Sequence, residues 1–74
     1  MTQEQRVLQY IEDNGSISPM EAFPLGITKL ATVISRMRRR EVDRYEFDIT
    51  TEYGSNSYGK YHYARYSNPR KVDG

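Results

Sequence analysis

The sequence has no cysteine, which excludes disulfides and any thiolate metal site. Its single histidine, His62, cannot build a histidine cluster. No apolar run exceeds a few residues, so no segment reads as a membrane span. The opening MTQEQRVLQY is polar and partly acidic and lacks the apolar stretch of a signal peptide. There is no nucleophile motif, no phosphate-cradling glycine loop and no metal-ligand spacing. Glu41, Asp43, Glu46 and Asp48 lack the glycine turn and closing glutamate of a calcium loop. These absences argue against an enzyme and against a cofactor. What remains is one reduced domain of 74 residues, near the lower size limit for a core without staples. Such a domain fits a cytoplasmic compartment.

A strong charge of either sign is also missing. The formal net charge is only +1, but it is unevenly spread. Residues 1–35 carry a net −2, and Arg36, Arg38, Arg39 and Arg40 then add +4. Residues 41–52 return −4, and residues 53–74 carry +3 through Lys60, Arg65, Arg70 and Lys71 against Asp73. Two basic blocks flank an acidic one. They either converge on a phosphate backbone or are neutralised by the neighbouring acids. Composition alone favours neutralisation.

Local signals order the chain. Thr2 and Gln5 form a capping-box pattern before Val7, Leu8 and Ile11, which share one helical face. Gly15 suits the left-handed position that ends such a helix. Ser18, Pro19 and Glu21 mark a second start. Pro24 disfavours helical geometry at Phe23, which leaves a turn and a half closing at Leu25-Gly26. Thr28 is the expected cap of a third helix with the stripe Leu30, Val33, Ile34 and Met37. That helix runs at least to Arg40, with an end anywhere up to Arg44.

Beyond it the period becomes two. YEFDITTEY alternates apolar and polar residues, and KYHYARY is again strand-like. The six-residue GSNSYG between them reads as the loop of a β-hairpin. SNPRKVDG reads as a polar, flexible tail. The expected organisation is one domain over residues 1–66 and a tail over residues 67–74.

Helix, helix, tight turn, helix and hairpin is the order of an α+β winged helix-turn-helix, with three helices followed by a two-stranded wing. Ala22 is small where two helices cross, and Gly26 lies four residues later in the turn. GSISPMEAFPLGITKLATVISRMRRR together with YGKYHYARY resembles small helix-turn-helix proteins encoded by bacteriophages and prophages. The resemblance covers roughly residues 3–66. It implies a winged-helix fold, DNA binding and a place in the cytoplasm of a bacterial host cell. Three features depart from the pattern. Pro24 interrupts the second helix, EVDRYE replaces a glycine after the arginine run, and Thr32 stands where many such motifs bury an aliphatic. The last implies a third helix rotated from the usual register.

Helical phase divides the arginine run. At about 100° per residue, Thr28, Thr32, Ser35 and Arg39 oppose the Leu30 direction, with Lys29 and Arg36 flanking them. Arg38 and Arg40 fall near the core boundary, where they snorkel or meet the acidic block. In a recognition helix the first residues meet base edges, which nominates Thr28, Lys29, Thr32 and Arg36. Arg39, further along beside Ser35, suits a phosphate. Ser55, Asn56, Ser57 and Lys60 in the wing reach the neighbouring backbone or minor groove. The expected partner is double-stranded DNA.

The tyrosines admit another reading. Tyr53, Tyr58, Tyr61, Tyr63 and Tyr66 all lie in the hairpin. Cross-strand aromatic pairs stabilise a ribbon that is marginal by itself. The same residues, interleaved with Lys60 and Arg65, suit base stacking, or a protein surface. The alternative function is therefore a protein-binding phage inhibitor on the same fold, directed at a host or immune protein, anti-CRISPR-like in kind. A homodimer through the hairpin or first helix is compatible with either reading.

Overall fold

The computed structural model describes residues 1–72. Helix α1 spans Gln3–Asn14, strand β1 Ser16–Ile17, helix α2 Pro19–Ala22, helix α3 Leu30–Arg39, strand β2 Arg44–Asn56 and strand β3 Gly59–Val72. A 3-10 turn, Phe23–Leu25, follows α2.

Both expected capping boxes are present. Gln5 N donates to Thr2 Oγ1 at 3.1 Å, and Thr2 N donates to Gln5 Oε1 at 2.9 Å. Ser18 and Glu21 repeat the exchange at the start of α2. Pro24 does not break the chain at Phe23, which keeps right-handed helical geometry. The helix tightens into the 3-10 turn instead, and Gly26 closes it in the left-handed region at φ +83°. Arg6 of α1 covers this turn, its Nη1 donating to the Leu25 carbonyl at 2.9 Å. Thr28 does not cap α3. Lys29 holds the cap position without a side-chain hydrogen bond, and α3 ends at Arg39, with Arg40 already extended. The left-handed residue of the connection to β2 is Asp43, at φ +57°. Aspartate tolerates that geometry better than most side chains, so no glycine is needed there.

The hairpin is longer and tighter than its sequence implies. GSNSYG is not a loop: Asn56 pairs with Gly59, leaving a two-residue turn of Ser57 and Tyr58. Neither has positive φ, and the reversal falls on Gly59 at φ +126°. Asn56 Oδ1 accepts from Tyr58 N at 2.8 Å and braces the turn. Residues 67–72, expected to be a flexible tail, continue β3, and Val72 pairs with Arg44. Asn68-Pro69, within the expected tail, forms a bulge. Between the pairs Glu46–Arg70 and Asp48–Ser67, two residues of β3 oppose Phe47 alone. Asn68 takes φ +52°, and proline's missing N–H falls where the ladder is already interrupted. Residues 73–74 of the expected tail lie outside the described residues.

The two-stranded wing is also corrected to a three-stranded antiparallel sheet of order β1-β3-β2. Ser16 and Ile17 pair with Ser67 and Tyr66 at the base of the hairpin. Ile17, Val7, Ala22, Leu30, Val33, Ile34 and Met37 are buried together, closed by Phe47 and Tyr66 from the sheet. Phe47 and Tyr66 meet edge to face at 6.4 Å. The rest of the ribbon projects, and the molecule measures 44 × 23 × 20 Å.

One network joins the projection to the helices. Arg65 of β3 pairs with Glu52 of β2 and donates from Nη1 to Glu21 Oε1 at 2.8 Å and to Ser16 Oγ at 3.0 Å. The same Glu21 oxygen accepts from Ser18 N. Burial raises the Glu21 pKa, but hydrogen bonds from Ser18 and the charge of Arg65 outweigh it, so the carboxyl sits below its ordinary range.

Two tests follow from this network. Ser18 is 1% exposed, so Ser18→Ala removes a buried cap. It should cost about 1–2 kcal/mol, or roughly 5–10 °C in Tm, by thermal unfolding followed with circular dichroism. Glu21 has a depressed folded pKa, so its contribution is present at neutral pH. It fades as pH falls below the ordinary value of 4.5 and through the folded value. Glu21→Gln should therefore flatten the acid limb of the stability–pH curve below about pH 4.5. An unchanged acid limb in that variant would show that Glu21 is not linked to folding.

Candidate nucleic-acid interface

Helix α3 buries one stripe and bares the other. Leu30, Val33, Ile34 and Met37 face the core. Ala31, Thr32, Ser35, Arg36, Arg39 and Arg40 line a shallow depression on the opposite side. Thr28 and Lys29 are exposed just before the first turn, and Ser35 is half-buried. Thr32, read as a sign of rotation, is exposed because the apolar stripe already fills the core. Of the six α3-side residues expected to meet DNA, Thr32, Ser35, Arg36 and Arg39 line this depression, and Thr28 and Lys29 lie exposed before the helix. Arg40, placed at the core edge by phase, also reaches this depression.

The four arginines of the run have different surroundings. Arg38 lies 3.7 Å from Glu46 of β2. Arg36 Nε lies 3.3 Å from Glu4 Oε2 of α1, so Arg36 is not a lone cation as its phase implied. Arg40 also pairs with Glu4, not with a carboxylate of the acidic block, and donates from Nη2 to the Asp43 carbonyl at 3.0 Å. The side chains of Arg39 and Lys29 make no ion pair or hydrogen bond among the described residues.

The second basic block is largely paired with carboxylates. Arg70 pairs with Asp48 at 2.9 Å, Lys71 with Asp43 at 2.8 Å and Arg65 with Glu21 and Glu52. The ammonium of Lys71 holds the Asp43 carboxyl below its usual range. Hydrogen bonds from Asn68 and then Arg70 do the same for Asp48. The acidic block thus occupies three of the four cations of β3, Arg65, Arg70 and Lys71, and, from the run, Arg38. Arg65, interleaved with tyrosines in the sequence, is tied to carboxylates and is not presented for base stacking.

At the hairpin tip Ser55 pairs with Lys60, and both are exposed. Lys60 has no side-chain partner among the described residues. Asn56 is exposed but spends its carbonyl oxygen on the turn. Tyr58 at the apex is 97% exposed and Tyr53 81%. The expected cross-strand aromatic pairing is only partly realised. Tyr53 lies 6.3 Å from His62 across the ladder, but Tyr61 and Tyr63 stack along one strand at 6.1 Å. Tyr61 lies over Gly54, where a Cβ would come within 2.5 Å of its ring. Tyr63 donates to Glu52 Oε2 at 3.0 Å, which raises its phenol pKa. Tyr66 belongs to the core.

Sequence reading missed Glu4 beside the interface. Its carboxylate meets residues 32 and 36 positions away, and no local pattern encodes that. Among the described residues no group of three metal-ligating side chains occurs, and no helix is long and apolar enough to cross a membrane.

No curated protein and no solved structure matches the chain. The winged helix-turn-helix domain family matches over residues 2–67, which takes in all three helices, β1, β2 and the greater part of β3. An exposed third helix with its apolar stripe turned inward, followed by a projecting hairpin, is the arrangement that family describes, and the chain belongs to the winged helix-turn-helix domain family.

Proposed function

We propose that the protein binds double-stranded DNA sequence-specifically, as a small phage-type transcriptional regulator or recombination accessory factor. It acts in the cytoplasm of the bacterial host and is not an enzyme. The observation that carries this reading is the outer side of α3. Thr32, Ser35, Arg36 and Arg39 line one open depression, Thr28 and Lys29 are exposed just before it, and Lys29 and Arg39 have no side-chain partner among the described residues.

In this reading α3 enters the major groove. Lys29 and Arg36 are donors for guanine acceptors, and Thr28 and Thr32 offer a hydroxyl and a methyl. Arg39, near the end of the helix, holds a phosphate. Ser55, Asn56 and Lys60 bring the wing to the adjoining backbone. Positive charge is scarce, so sequence-independent affinity is low. The two cations directed at phosphates, Arg39 and Lys60, imply a salt slope of roughly −2.

A second reading is favoured by one observation. Tyr53 and Tyr58 are bare at the hairpin end while most cations of β3 are neutralised. That surface suits a protein-binding phage inhibitor aimed at a host or immune protein. A pull-down from nuclease-treated host lysate that recovers one stoichiometric protein supports it. Recovery of DNA alone from a parallel lysate without nuclease supports the first reading. A homodimer is open to either, through the hairpin or α1.

Binding isotherms on duplex DNA separate the roles. Arg39→Ala should weaken all sequences alike and reduce the salt slope by about 1. Lys29→Ala and Thr32→Ala should change the preferred sequence, Lys29→Ala at a cost of about 1–3 kcal/mol on the preferred site. No gel shift with phage control-region DNA at low salt would refute DNA binding.

A further inference from the structure

Glu4 belongs to the first turn of α1, yet its carboxylate is committed to α3. Oε1 accepts from Nη1 of Arg40, and Oε2 lies 3.3 Å from Nε of Arg36. Arg40 is held a second time by the Asp43 carbonyl. Its own Nε is buried without a hydrogen bond, so its position rests on those two terminal contacts. Arg40 thereby fixes Glu4, and Glu4 turns its second oxygen to Arg36. The Glu4 side chain is 22% exposed and that of Arg36 54%. The terminal nitrogens of Arg36 donate no hydrogen bond among the described residues.

An ion pair this exposed adds little to stability. It does restrict the long Arg36 side chain. A guanidinium approached at Nε keeps its two terminal nitrogens for another acceptor. Two parallel N–H donors match the N7 and O6 acceptors of guanine, a bidentate contact that depends on orientation. A carboxylate placed merely to lower the charge would have no need of a second arginine to hold it. Here the order is Arg40 to Glu4 to Arg36, and Arg36 is the most exposed of the three. We propose that Glu4 is a positioning residue for Arg36, and that the pair reads a guanine in the major groove. This rests on α3 being the DNA-reading helix.

The test uses the full chain. Wild type selects its preferred site from a randomised duplex library, and each guanine of that site is then replaced by 7-deazaguanine. At one guanine the replacement should weaken wild type several-fold but leave Arg36→Ala unaffected. Glu4→Ala should lose about fivefold or more of the discrimination at that base. It should bind random duplex more tightly, because a negative charge is gone. Damage to the fold would lower both quantities, so their opposite movement marks positioning. Glu4→Gln keeps the length and one acceptor and should fall between. The double variant should lose no more discrimination than Arg36→Ala alone. The inference is overturned if Glu4→Ala keeps its full guanine preference, or if no guanine responds to Arg36→Ala. In both cases DNA binding itself survives. If wild type binds no duplex at all, the proposed function fails and this inference fails with it.

Discussion

Arg65 is the side chain on which the arrangement of the molecule turns. It stands on β3 where the hairpin leaves the body, and its guanidinium meets Glu52 on the neighbouring strand and Glu21 at the start of α2. A two-stranded ribbon is marginal without further support. Here the support is β1, only two residues long, and this one arginine. Glu21 is itself fixed by the buried Ser18, so the cap that starts α2 and the contact that aims the wing share one carboxylate. Hydrogen bonding to Glu52, more than the opposing effect of burial, raises the Arg65 pKa. The cation is therefore permanent over any accessible pH, and Glu21, with its lowered pKa, is the titrating side of its contact with Arg65.

The same allocation explains how a chain of net charge +1 can keep a local basic surface. Acids at 43, 48 and 52 meet their partners across the hairpin, within a register set by the bulge at Asn68-Pro69. Cross-strand pairing removes Arg65, Arg70 and Lys71 from the count of available cations. Arg38 is drawn to Glu46 on the side of α3 that borders the sheet. Exposed pairs of this kind are individually weak. Their consequence lies in placement: among the described residues Lys29 and Arg39 beside the outer side of α3, and Lys60 at the tip, have no side-chain partner.

Much of the helical part was legible in the sequence because its signals are local. Thr2-Gln5 and Ser18-Glu21 are capping boxes in the sequence and in space. The Leu30 to Met37 stripe identifies the buried side of α3, and with it the exposed side where the candidate residues sit. The sheet was less legible because its determinants are distant. Nothing near Ser16 and Ile17 shows that they pair with residues 67 and 66. Asn68-Pro69 has the composition of a terminator, and only the strand opposite makes it a bulge. Thr28 has the chemistry of a cap, but the chain enters α3 one residue later, at Lys29. The partners of the arginines were the least legible, since phase gives a direction and not the acid that waits there.

The hairpin differs from a flexible arm in one respect that bears on its use. Tyr61 covers Gly54 across the ladder and stacks on Tyr63, whose hydroxyl is anchored to Glu52. That chain of contacts runs from near the tip back to Arg65. Gly54 has no side chain of its own to pack, and the ring takes that place, leaving no room for a Cβ. Through Tyr61, Tyr63 and Glu52 the contacts lead to Arg65, which meets Glu21 at the α2 cap. A surface with few unpaired cations gains little from electrostatic attraction alone. Tyr61 and Tyr63 pack along the ribbon, while Tyr53 and Tyr58 remain uncovered.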